Sequence, residues 1–145
     1  ILQRAVSAGA QVHCGGGRAD APTGGAFVAP SILSGVARDS EIVREEVFGP
    51  VLTVETFEDE EEALELAQHE DYGLAAGVHT ADLGRALRMV RGIEAGNVWV
   101  NRYGRSSDFI IPTGGYKRSG LGKDLGRQAF EANLRSKSVL IDLNG

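Results

Sequence analysis

The sequence predicts an α/β fold: a parallel open sheet with crossover helices. Three observations predict it. Strand-like and helix-like patterns alternate between residues 50 and 101, the order that parallel strands joined by crossovers require. The run from Pro50 to Phe57 is rich in β-branched residues, with Val51, Thr53 and Glu55 alternating against Leu52, Val54 and Thr56. Helix starts are also written into the chain. Asp59 stands three residues before Glu62, a capping box, and Asp82 precedes an apolar stripe of Leu83, Ala86, Leu87 and Val90.

The elements follow in order. Ile1 to Ala8 reads as the closing turns of a helix ended by Gly9. A chain opening there, without methionine, is expected to be a piece of something longer. Gln11 to Cys14 predicts a short strand, Gly15 to Gly17 a loop, and Ala26 to Ala29 a second short strand before Pro30. The helix capped by Asp59 should run to about His69, and its acidic start suits the helix dipole. Ala75 to His79 predicts a strand, and the Asp82 helix can end at Gly92. Asn97 to Asn101 is strongly β-prone, with Trp99 between two valines explained by core packing. Residues 102–122 read as a glycine-rich loop, Lys123 to Leu134 as a helix and Lys137 to Leu143 as a final strand.

At 145 residues the chain can bury a core of its own, and 42% hydrophobic with 24% charged residues is ordinary for a globular protein. A net charge of −5 and the lack of a basic stripe argue against a nucleic-acid partner. No apolar run nears the ~18 residues that would suggest a membrane span, and no signal peptide is visible. The single cysteine excludes an internal disulfide and fits a reducing, cytoplasmic setting. His13, His69 and His79 are scattered without carboxylates or cysteine at ligand spacing, so no metal site is expected.

The most informative stretch is Glu45-Glu46-Val47-Phe48-Gly49-Pro50-Val51. In extended backbone, residues i and i+2 share a face, so Glu46 and Phe48 would present a carboxylate beside a flat apolar ring. A ribose diol next to a nicotinamide ring asks for that pairing, the carboxylate accepting two hydroxyl protons. On this stretch alone, a charged turn followed by a core phenylalanine accounts for the same residues.

Further motifs follow in order: Tyr72-Gly73-Leu74-Ala75-Ala76-Gly77-Val78, then Ala95-Gly96-Asn97-Val98-Trp99-Val100-Asn101, then Pro112-Thr113-Gly114-Gly115-Tyr116-Lys117-Arg118-Ser119-Gly120. Together with the Glu46 stretch they resemble the C-terminal third of the NAD(P)-dependent aldehyde dehydrogenase superfamily, over essentially the whole chain. The resemblance implies residues 1–135 as the later part of a catalytic domain and 136–145 as a strand of an oligomerisation sheet. It implies homodimers or homotetramers in the full-length enzyme, NAD or NADP as cofactor, and a small-molecule aldehyde as substrate. Glu46 matches the glutamate that binds the nicotinamide-ribose hydroxyls, Phe48 the phenylalanine that holds the nicotinamide side, and Leu74 a position lining that pocket. The resemblance implies that the segment Arg102 to Thr113 shapes the substrate tunnel, with Tyr103, Gly104 and Thr113 as tunnel residues. Thr113 departs from the aromatic residue many members carry there, and Arg102 and Arg105 could suit a polar or acidic aldehyde or be solvated loop residues. Family chemistry uses a cysteine that forms a thiohemiacetal and then a thioester, and a glutamate base. Both are expected before Ile1, so the chain alone should be inactive. Cys14 is too near Glu46 to be that nucleophile and reads as a small buried residue at a strand end.

Two other readings compete. One is a non-catalytic α/β interaction module that assembles through Ser138-Val139-Leu140-Ile141-Asp142-Leu143, an apolar edge expected to stay free or to pair with a copy of itself. The other is phosphate binding by residues 114–126, which miss the spacing of both the dinucleotide and the Walker fingerprints; packing of tight turns is the better account of them.

Overall fold

The computed structural model describes residues 1–20, 24–104 and 109–145. The chain divides into two compact units, Ile1–Glu70 and Asp71–Gly145, each mixing strands and helices.

In the first unit, helix α1 (Leu2–Ser7) ends as glycine placement predicts. Gly9 takes φ +103°, its N–H reaches the Val6 carbonyl, and the Ala10 N–H reaches Ala5, which together make a Schellman closure. Strand β1 (Gln11–Cys14) pairs antiparallel with β2 (Ser31–Ser34), with a bulge between Val12 and Cys14. β2 in turn runs parallel to β3 (Val51–Val54), in register Ser31 with Val51 and Ser34 with Val54. The second strand therefore lies after Pro30, not over Ala26 to Ala29, where Val28 makes only an isolated bridge with Arg18. The reason is donor supply. Pro30 has no N–H, so the parallel ladder starts with the Ser31 N–H on the Pro50 carbonyl at 2.8 Å, and both strands begin just after a proline. Leu33 on β2 is fully buried against Ala5 and Ile42, the latter on a four-residue helix α2 (Glu41–Arg44) that the sequence pattern does not announce. Helix α3 (Glu60–Ala67) carries the expected cap: Asp59 Oδ1 accepts the Glu62 N–H at 2.9 Å, and Glu62 reaches back to the Glu58 N–H at 2.6 Å.

In the second unit, β5 (Ala75–Val78) and β6 (Asn97–Val100) run parallel, joined by the crossover helix α4 (Leu83–Gly92). Asp82 caps α4 by accepting the Arg85 N–H, and Ala86, Met89 and Ile93 form the buried centre. A two-residue ladder pairs β4 (Tyr72–Gly73) with β7 (Tyr116–Lys117), inside the stretch expected to be loop. Helix α5 starts only at Gly126 (Gly126–Ala132), because Asp124 is held in a bridge with Thr113 and Leu125 takes φ +63°. Residues 137–143 form no ladder with any described residue, and Val139, Leu140, Ile141 and Leu143 stand exposed. Parallel pairing with crossovers is thus present in both units, as separate ladders of two or three strands.

Candidate functional site

In the first unit the nominated pair sits on a turn hung from the core. Ile42 anchors α2 in the buried cluster, and Glu45 leaves the helix in extended backbone. Val47 packs against the same cluster, while Glu46 and Phe48 on either side of it are exposed, Phe48 by 89%. One expectation is corrected here. The backbone is not extended through Phe48, whose φ is +52°, so the ring is aimed by a left-handed turn and not by strand alternation. For a residue with a Cβ that conformation costs on the order of 1–2 kcal/mol, and no burial of the ring offsets it. Among the described residues Glu46 has no hydrogen-bond or ion-pair partner. Phe48, with Val47, Gly49, Ile1, Gly16 and Arg18, lines a cleft of ≈ 420 Å³ that Glu46 does not line. An exposed carboxylate can accept the hydroxyls of a vicinal diol and an exposed ring can stack on a flat heterocycle, the two contacts a nucleotide cofactor would use. α2 itself is steadied by Arg4 of α1, whose guanidinium meets both Glu41 oxygens at 2.6 Å. That contact holds the Glu41 carboxyl below its usual range, through the hydrogen bond first.

In the second unit the nominated residues are held by polar clamps. Leu74, half-exposed between β4 and β5, accepts the Asn97 N–H on its carbonyl at 3.2 Å. The Asn97 side chain then grips the 112–114 loop: its Nδ2 donates to the Pro112 carbonyl at 3.4 Å and its Oδ1 accepts the Gly114 N–H at 3.3 Å. Thr113, between them, exchanges two backbone bonds of 2.6 Å with Asp124, and Lys123 Nζ donates to the Gly114 carbonyl at 3.0 Å. Gly96 packs so tightly here that a Cβ would collide with the Gly114 carbonyl oxygen. Tyr103 is exposed and meets Trp99 edge-on at 4.9 Å between ring centroids, and Gly104 follows with φ +88°. Arg105 lies outside the described residues.

The glycine-rich run of residues 114–122 is a staple. Ser119 Oγ accepts the Gly73 N–H at 3.0 Å, the Arg118 N–H reaches the Asp71 carbonyl at 2.9 Å, and Lys117 pairs with Glu94 at 2.7 Å. The Arg118 N–H and the Lys117 ammonium are thus engaged within the unit, whereas a phosphate cradle needs convergent free donors. Sequence reasoning missed Asn97 and Gly96 as loop holders, because the run after them reads simply as strand. The signal available was the glycine immediately before that strand, which marks close backbone approach.

Cys14 is exposed, not buried; it ends β1, and its Sγ lies 3.6 Å from the Pro30 carbonyl. Sequence size and spacing do not reveal that β1 is an edge strand at that end. His13 contacts Ser34 Oγ at 2.7 Å and His69 the Val43 carbonyl at 3.2 Å. Among the described residues no group of three or more His, Cys, Asp or Glu side chains is placed to hold a metal ion, and no helix is long and apolar enough to cross a membrane.

The chain is thus an α/β protein that exposes Glu46 and Phe48 on one unit and holds residues 112–114 by polar contacts on the other. Residues 1–139 match the model of the aldehyde dehydrogenase family, and the chain belongs to that family. Among solved structures it is similar to betaine aldehyde dehydrogenase from Staphylococcus aureus in complex with NAD+, with 40% identity and a TM-score of 0.90. That match covers 99% of this chain and 29% of the other. It is also similar to a mutant of the P. syringae indole-3-acetaldehyde dehydrogenase in complex with NAD+ and IAA, with 42% identity and a TM-score of 0.88 over 98% of this chain and 28% of that one. The chain therefore spans less than a third of the length of these relatives.

Proposed function

We propose that the complete protein oxidises an aldehyde to a carboxylic acid with NAD or NADP, and that this chain supplies one wall of the cofactor site and part of the aldehyde tunnel. The observation that carries the reading is the presentation of Glu46 and Phe48: a carboxylate without a partner among the described residues and an 89% exposed ring, on either side of a core-anchored valine. When bound, the cofactor supplies the hydride acceptor. Glu46 accepts the two ribose hydroxyl protons and fixes the sugar, and Phe48 limits the swing of the base. Leu74 adds an apolar contact, while Tyr103, Gly104 and Thr113 border the path of the aldehyde.

The NAD+ complexes of the relatives support NAD; NADP is the alternative. The nucleophilic cysteine and the base glutamate belong to a part of the protein other than these 145 residues, so the chain alone is inactive. The exposed 136–145 segment pairs with another copy in a homodimer or homotetramer, in a reducing, cytoplasmic setting. A non-catalytic module assembling through that segment is the competing reading, and an assay separates the two. The complete enzyme should reduce NAD+ in the presence of an aldehyde, while the isolated chain should not; a complete protein without turnover would favour the module.

Glu46→Gln in the complete enzyme should lower single-turnover hydride transfer by about 10²-fold, through loss of ribose positioning. Unchanged transfer in that variant removes Glu46 from the cofactor site.

A further inference from the structure

Asn97 stands at a junction that nothing in the strand pattern around it requires. Its main chain bonds to the Leu74 carbonyl, and its side chain bonds to the two residues flanking Thr113. Only one orientation of the amide satisfies both, with NH₂ toward the Pro112 carbonyl and oxygen toward the Gly114 N–H. One residue thereby ties a candidate cofactor-pocket position to a candidate tunnel position. Behind the loop, the 2.6 Å exchange with Asp124 and the Lys123 bond to Gly114 hold it from the other side, and Gly96 leaves no space for it to settle inward.

We infer that Asn97 is a positioning residue for aldehyde selection: its amide fixes the 112–114 backbone relative to the Leu74 strand end and so sets where Thr113 borders the aldehyde. The inference rests on the proposed assignment of Thr113 to the tunnel. Alanine at 97 keeps the β6 ladder, which is backbone-made, but frees the loop from its inner clamp. The amide hydrogen bonds are long and half-buried, so their loss should loosen the loop without unfolding the unit.

The test is steady-state kinetics of the complete enzyme with a short and a bulky aldehyde, comparing Asn97→Ala, Thr113→Ala and the parent. The expected result for Asn97→Ala is a change of about tenfold in the kcat/KM ratio between the two aldehydes, carried by aldehyde KM. NAD+ KM should stay within about twofold, since the cofactor contacts assigned to Glu46 and Phe48 are untouched. If aldehyde and cofactor constants worsen together with a lowered melting temperature, Asn97 is merely structural and the inference is overturned. If Thr113→Ala shifts aldehyde choice while Asn97→Ala does not, the inference fails and the tunnel reading stands. If neither variant shifts it, the tunnel reading itself fails. Should Asn97→Ala not accumulate as folded enzyme, Asn97→Asp retains the acceptor for Gly114, loses the donor to Pro112, and is judged by the same ratio.

Discussion

The turn at residues 45–50 and the loop at residues 112–114 are held by opposite means. The first is fixed by burying its middle: Val47 and the preceding Ile42 sit in an apolar cluster, and the side chains beside Val47 are left bare. The second is fixed by its backbone: the Asn97 amide, the Asp124 exchange and Lys123 hold its carbonyls and N–H groups. Apolar anchoring leaves polar groups free for a ligand, which suits the role proposed for Glu46. Polar clamping fixes a main-chain path, which suits a wall whose shape matters more than its charge.

Three variants break or sharpen this contrast. Gly96→Ala should be the most damaging, because its Cβ falls on the Gly114 carbonyl and backbone must yield; a loss of about 3 kcal/mol of stability is expected from the urea midpoint. An unshifted midpoint would mean that the loop is not pinned. Val47→Ala removes the apolar anchor, and about 1–2 kcal/mol should be lost. Its kinetic mark should be a raised NAD+ KM with aldehyde preference retained, the mirror of the Asn97 variant. If aldehyde choice moved instead, the division of labour between the two regions would be wrong. The smallest effect concerns the Arg4–Glu41 contact beneath the first region. The Glu41 carboxyl is depressed in the folded state, so its contribution is present above the ordinary carboxylate pKa and disappears as pH falls through the lowered value. Arg4, raised by the same contact, stays charged throughout. Both groups are exposed, so the effect is screened. In the complete enzyme, an NMR titration of Glu41 should move up toward the ordinary carboxylate value in Arg4→Gln, and an unmoved midpoint would dissociate the pair.

Local signals carried most of the fold. The caps at Asp59 and Asp82, the helix stop at Gly9 and the strands β1, β3, β5 and β6 all depend on neighbours within a few residues. What escaped depends on distant closure. The β4–β7 ladder is two residues long and exists because Ser119 and Arg118 reach back to Gly73 and Asp71. Pro30 ended a strand in the sequence reading and begins one in the fold, because the ladder partner that decides the matter is Pro50. Motif order nominates Glu46, Phe48 and Thr113 for the proposed site. The left-handed phenylalanine could not, since ring-bearing residues carry no preference for that conformation, and Asn97 was concealed inside a β-prone run.

The Trp99–Tyr103 contact has a practical consequence. Trp99 is the chain's one tryptophan, and its indole lies edge-on to Tyr103 in the proposed tunnel segment, with ring centroids 4.9 Å apart. In the isolated chain, emission excited at the red edge of protein absorbance therefore originates from a single known place. The chain carries its own optical probe there, and no label need be attached to follow that segment.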